Sequence, residues 1–143
     1  MGKKGLQIAT AILCLIPVTT GLLVTFLGIQ QSFYAPGLVA PNLDSTFRAL
    51  GGIWFGLGLA GFWHIPTIER QTVLYRAIWL SIFFGGIGRV LAWIHMGPPL
   101  PFFIAIMVVE LLGPPVFIYW QYRVASAAGA TARKAEAPVA TPA

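Results

Sequence analysis

Charge is what this sequence has least of: only 9% of its 143 residues are charged, and only four are acidic. Soluble domains carry about 25% charged residues. With 57% hydrophobic residues and a mean hydropathy of +0.80, the chain cannot build a water-facing exterior, which excludes an ordinary soluble fold. Its single cysteine, Cys14, excludes an intrachain disulfide, a cysteine-ligated zinc site and a CxxC redox pair. That thiol lies in an apolar run and reads as inert packing. Two histidines, His64 and His95, fall at opposite ends of successive apolar runs, roughly a membrane thickness apart, so they share no metal or haem. No Ser/His/Asp set, phosphate loop or metal-ligand spacing is present. The Gly85-Gly86-Ile87-Gly88 segment sits inside an apolar run and not after a strand. The formal charge of +5 has no polar face to occupy, so nucleic acid is not an expected partner.

What is there are four apolar runs. A spanning helix needs about 20 apolar residues, so four spans and short loops nearly exhaust the chain. The expected fold is all-α, an integral membrane four-transmembrane-helix bundle over residues 1–122, with spans near 6–29, 47–63, 72–96 and 102–122. The first run is too long and unbroken for a cleaved signal segment, and Leu13 before Cys14 argues against lipoprotein processing. Residues 30–46, holding Pro36, Gly37, Pro41, Asn42 and Asp44, read as a long loop. Gly97 to Pro101 reads as a tight turn, and Gly113-Pro114-Pro115 as a bend in the fourth helix. From Arg123 the alanine-rich chain lacks apolar periodicity and reads as a disordered cytoplasmic tail, 123–143.

Orientation follows from the basic residues. Lys3, Lys4, Arg70, Arg76, Arg123, Arg133 and Lys134 share one side of a four-span topology, which the positive-inside rule makes cytoplasmic. Both termini are therefore expected on the cytoplasmic side. Trp63, Tyr75, Trp93, Tyr119, Trp120 and Tyr122 fall toward span ends, as interfacial aromatics do.

Two charges lie within spans, Arg89 and Glu110, and intramembrane ionisable residues mark candidate sites. At about 1.5 Å per residue both sit roughly 10 to 12 Å below the outer turn, so a tight hairpin brings them level. Pro114 and Pro115 withhold donors from the carbonyls of Glu110 and Leu111, adding polarity at that depth. Arg48 opens the second span one turn after Asp44, with Gly52 and Gly56 continuing its face, and Gly85 stands one turn before Arg89. Asp44, Arg48, Arg89, His95 and Glu110 are therefore the candidate residues, for ligand binding or for structural ion pairing. Gly52, Gly56, Gly85 and Gly86 are the candidate helix-packing positions, Gly52 and Gly56 in GxxxG spacing. No catalytic residue, metal or cofactor is expected.

Four ordered motifs carry a resemblance: Leu43-Asp44-Ser45-Thr46-Phe47-Arg48-Ala49-Leu50-Gly51-Gly52, Phe84-Gly85-Gly86-Ile87-Gly88-Arg89, Gly97-Pro98-Pro99-Leu100-Pro101 and Glu110-Leu111-Leu112-Gly113-Pro114. From about Leu6 to Tyr122 the chain resembles the bacterial family of domain of unknown function 4345. The resemblance implies a four-helix inner-membrane protein and transfers no activity. In size and helix number the chain is also loosely similar to DoxX-like membrane proteins, an analogy of fold alone.

Two functions follow as expectations. The absent catalytic set favours a non-enzymatic accessory, assembly or scaffolding protein, with membrane lipids, other membrane proteins or a second copy of the chain as partners. The alternative is a binder, transporter or enzyme acting on a lipid-like or quinone-like molecule through Arg48, Arg89 and Glu110, since arginine beside a carboxylate suits an anionic or hydrogen-bonding head group. The topology is testable in a Cys14→Ala background. Gly37→Cys should react with an impermeant thiol reagent from outside and Thr67→Cys should not; the opposite pattern inverts the orientation.

Overall fold

A computed structural model describes residues 2–31 and 40–136. The described residues form four α-helices, α1 (Lys3–Gln31), α2 (Pro41–His64), α3 (Thr72–Met96) and α4 (Pro101–Glu136), with a 3-10 turn at Ile65–Thr67. Large apolar side chains point outward on every helix, including Phe26 at 72% exposure, Trp63 at 80%, Val73 at 84% and Leu112 at 64%. Polar Glu110 and Gln121, by contrast, are buried. This inverted distribution suits a hydrocarbon solvent. Three helices, α1, α3 and α4, are long and apolar enough to cross a membrane by length and composition. The expected second span is not among them, because five glycines together with Arg48 and His64 dilute the apolarity of α2.

The chain divides into two compact units, Gln7–Pro66 and Met1–Leu6 with Thr67–Ala143. In the first, α1 and α2 run antiparallel: Ile29 bonds to Asp44, Thr20 to Trp54 and Gln7 to Ile65, so partners ascend one helix as they descend the other. Glycine sets their separation. A Cβ on Gly21 would lie 2.5 Å from the Phe55 amide nitrogen and 2.8 Å from the Gly51 carbonyl oxygen, so the two backbones touch there. Gly51 faces Thr25 and Val24, Gly58 faces Val18 and Pro17, and Gly61 receives the Cys14 sulfur. The packing face is therefore Gly51, Gly58 and Gly61. It is not the expected Gly52–Gly56 pair: a Cβ on Gly52 reaches only the Thr25 hydroxyl at 3.9 Å, and one on Gly56 meets nothing within 4 Å. Both faces are glycine-rich, and spacing alone does not say which one the partner helix takes.

In the second unit α3 and α4 form a hairpin across residues 97–100. Gly97, at φ 90°, ends α3, with its amide donating to the Trp93 carbonyl at 2.9 Å. Trp79 stacks on Phe117 with ring centroids 4.3 Å apart, and Tyr75 is fully buried.

Two expected boundaries move. In place of a loop running through Thr46, α2 starts at Pro41, where a missing amide costs nothing and Asp44 in the first turn complements the helix dipole. Residues 32–39 lie outside the described residues. In place of a disordered tail from Arg123, the chain is helix to Glu136. Six alanines between Arg123 and Glu136 favour helix, Val124 is buried, and Arg133 and Lys134 complement the dipole at its C-terminal end. Residues 137–143 lie outside the described residues.

The close approach is testable. Gly21→Ala should destabilise by about 1–3 kcal/mol, because it drives a methyl group into backbone. Gly56→Ala should be neutral or slightly stabilising, since helix propensity favours alanine by up to about 1 kcal/mol. Thermal unfolding of the detergent-solubilised chain reads both.

Candidate functional site

Each unit holds one of the two expected charge clusters. The first forms where α1 ends. Gly28, at φ 71° and ψ −174°, breaks the helix with a conformation essentially reserved for glycine. The carbonyls of the preceding turn lose their intrahelical partners there, and Arg48 supplies replacements. Its Nη1 donates to the carbonyls of Thr25 at 3.0 Å and Phe26 at 2.9 Å. Its Nε donates to Asp44 Oδ2 at 2.6 Å, and Asp44 Oδ1 accepts from the Ile29 amide at 2.7 Å. One i,i+4 pair on α2 thus satisfies both sides of the break in α1. Any side chain at Gly28 would strike the Arg48 guanidinium and the Asp44 carboxylate, so the glycine is required by space as well as by φ. The Arg48 hydrogen bond, helped by the Ile29 amide, holds the Asp44 carboxyl below its ordinary value of 3.8. Gly28 is the residue that the sequence pattern conceals: it sits in an unbroken apolar run, and its only signal is its position two residues before Gln30.

The second cluster joins α3 to α4. Arg89 Nε donates to Glu110 Oε2 at 2.6 Å, and Nη2 to Oε1 at 3.3 Å, a side-on two-point pair. The Arg89 guanidinium carbon also stands 6.0 Å from the Phe103 ring centroid. Gly86 lets α4 approach: a Cβ there would lie 3.0 Å from the Leu111 side chain and 3.1 Å from Glu110 Cβ. Gly85 and Gly88 face open space, since a Cβ at either position would meet nothing within 4 Å among the described residues. His95 is exposed in the last turn of α3. Among the described residues no three His, Cys, Asp or Glu side chains gather as metal ligands.

A third polar locus lies outside the expected set. Gln121 is fully buried and donates through Nε2 to the Ile68 carbonyl at 3.1 Å and the Thr72 hydroxyl at 2.9 Å. In the same unit Lys3 pairs with Glu69 at 2.9 Å, and that lysine is the main reason the Glu69 carboxyl is held below its usual range. The available signal for Gln121 is a lone amide in an apolar run.

Long apolar helices with outward-facing hydrophobes and internally paired charges define a multi-pass integral membrane protein. The chain belongs to the family described as a domain of unknown function, DUF4345, whose profile matches residues 5–121. No curated protein and no solved structure matches it.

The Asp44 clamp has a pH signature. A carboxyl with a depressed folded-state pKa contributes stability that is complete above its unfolded value and is lost as pH falls through the folded value. The stability difference between wild type and Asp44→Asn should therefore be full at neutral pH and close below about pH 3.8. Detergent-phase unfolding from pH 7 down to about pH 2, where carboxyl groups protonate, measures it, and a difference still constant at the acid end would exclude the carboxylate.

Proposed function

We propose that this chain is a non-enzymatic accessory or scaffolding protein of a bacterial cytoplasmic membrane, crossing it four times with both ends in the cytoplasm. One observation carries the reading: each candidate charge is consumed within its own unit, Arg89 by Glu110 and Arg48 by Asp44 and the end of α1. A reaction centre needs groups left over for a substrate, and these are committed to holding helices. The open glycines Gly56, Gly85 and Gly88, flanked by exposed Ile53 and Phe84, offer flat apolar surfaces that a neighbouring helix or lipid chain can approach closely. The location and orientation rest on the seven basic residues that share one side.

A second reading keeps the Arg89–Glu110 pair as the headgroup contact for a lipid-like or quinone-like molecule. It is favoured by the exposure of Arg89, whose side chain retains 33% accessibility while Glu110 is nearly covered.

The pair itself separates the two readings. Breaking this part-buried pair by Arg89→Ala leaves Glu110 covered and unpaired and should cost about 1–3 kcal/mol, whereas Arg89→Met with Glu110→Met should restore stability to near wild type, because an apolar pair replaces the charges. Native mass spectrometry after gentle detergent extraction completes the test. A co-purifying membrane protein retained by the folded double variant supports the scaffold. A small molecule held by wild type and lost from that folded variant supports the binder and overturns the scaffold.

A further inference from the structure

The charges of the two clusters are spent on the fold, but one polar set near the far end of α4 is not. Tyr119, Trp120, Arg123, Ser126 and Ala127 line an open cavity of about 500 Å³. Tyr119, Arg123, Ser126 and Ala127 recur at i, i+4, i+7 and i+8, and Trp120 stands beside them at i+1, so the five line one side of the helix. The opposite face is the anchored one, with Gln121 and Val124 buried and Gln121 bonded to Ile68 and Thr72. The cavity wall is thus held in place by its own helix.

Its chemistry is one-sided. Arg123 Nη1 donates to the Tyr119 hydroxyl oxygen at 3.1 Å, which turns the Tyr119 proton outward as a donor. The guanidinium also lies 6.0 Å from the Tyr119 ring centroid, which orients its remaining N–H groups. Ser126 adds a hydroxyl. The Trp120 indole nitrogen is buried and has no hydrogen-bond partner among the described residues, a donor that waits for an acceptor. No carboxylate is among the residues that line the cavity. Lys134 continues the same helical face eleven residues beyond Arg123, and Arg133 stands beside it.

We propose that this cavity binds the phosphate of an anionic membrane phospholipid, with Arg123 as the charge partner and the Trp120 indole N–H as a buried donor. A cation and three further donors, with no carboxylate in the lining, select an oxyanion over a neutral or cationic group. The setting selects the lipid form. Tyr119 and Trp120 are the amphipathic aromatics of a headgroup zone, and the helix leading to them is a spanning one with exposed Leu112 and Val116 to meet acyl chains. The site lies on α4 alone and stands independently of the Arg89–Glu110 pair.

The test uses the full-length chain in detergent micelles, titrated with phosphatidylglycerol or phosphatidylcholine and read by native mass spectrometry. Wild type should retain phosphatidylglycerol in clear excess. Arg123→Gln should weaken that retention about fivefold, the weight of one basic side chain at an anionic surface. Trp120→Phe, which keeps the ring and removes only the donor, should weaken it to a smaller degree. The Arg123→Gln variant should melt with wild type. Equal retention of the two lipids, or an unchanged Arg123→Gln variant, overturns the proposal. Displacement of the lipid by millimolar inorganic phosphate would assign the cavity to soluble phosphate esters and overturn the lipid assignment.

Discussion

The end of α1 shows the constraint on which the rest of the structure depends. A helix that breaks frees carbonyls from their intrahelical partners, and each then needs another donor. At Gly28 that donor is Arg48, whose guanidinium reaches the Thr25 and Phe26 carbonyls while Asp44 holds the next amide and balances the charge. Three residues from two helices solve one problem. Because the solution spans α1 and α2, it also sets the register between them, and Gly21, Gly51 and Gly58 then let the backbones close at that register.

The hairpin of α3 and α4 answers the same constraint with side chains instead of backbone. Arg89 and Glu110 pair at one level and Gln121 bonds to Ile68 and Thr72 at another. Two polar fastenings at separate depths specify one alignment among the several that apolar packing alone would allow, which is the best-attested use of a buried polar contact. Trp79 on Phe117 fills the space between them. Each fastening ties α4 to a residue distant in sequence, Glu110 to Arg89 and Gln121 to Ile68 and Thr72. The cavity at Tyr119, Trp120 and Arg123 differs because its donors are not spent on the fold.

Much of this is legible along the chain, and the exceptions have physical causes. Arg89 and Glu110 can be matched in depth because both are counted from a turn of only a few residues, where rise per residue converts directly into height. The α1–α2 glycines cannot be assigned to a face in the same way. Five glycines between positions 51 and 61 mark two stripes on α2, and the choice between them belongs to the partner helix. Gly28 is hidden because hydropathy does not register a positive φ. The segment beyond Arg123 reads as tail because apolar periodicity is absent there, while alanine propensity and the burial of Val124 sustain it as helix.

By itself the sequence determined the solvent. With 9% charge and long apolar runs the chain is suited to hydrocarbon, where backbone hydrogen bonding favours helices as the local structure. It also determined which residues would be costly to place, because a charge among apolar neighbours is visible without coordinates. Only the tertiary structure decided how each cost was met. Arg48 serves the backbone of another helix, Arg89 a carboxylate, and Gln121 a carbonyl and a hydroxyl. Those partners are distant in sequence, and which acceptor a long side chain reaches depends on how closely two backbones approach, a distance that glycine permits and packing alone sets.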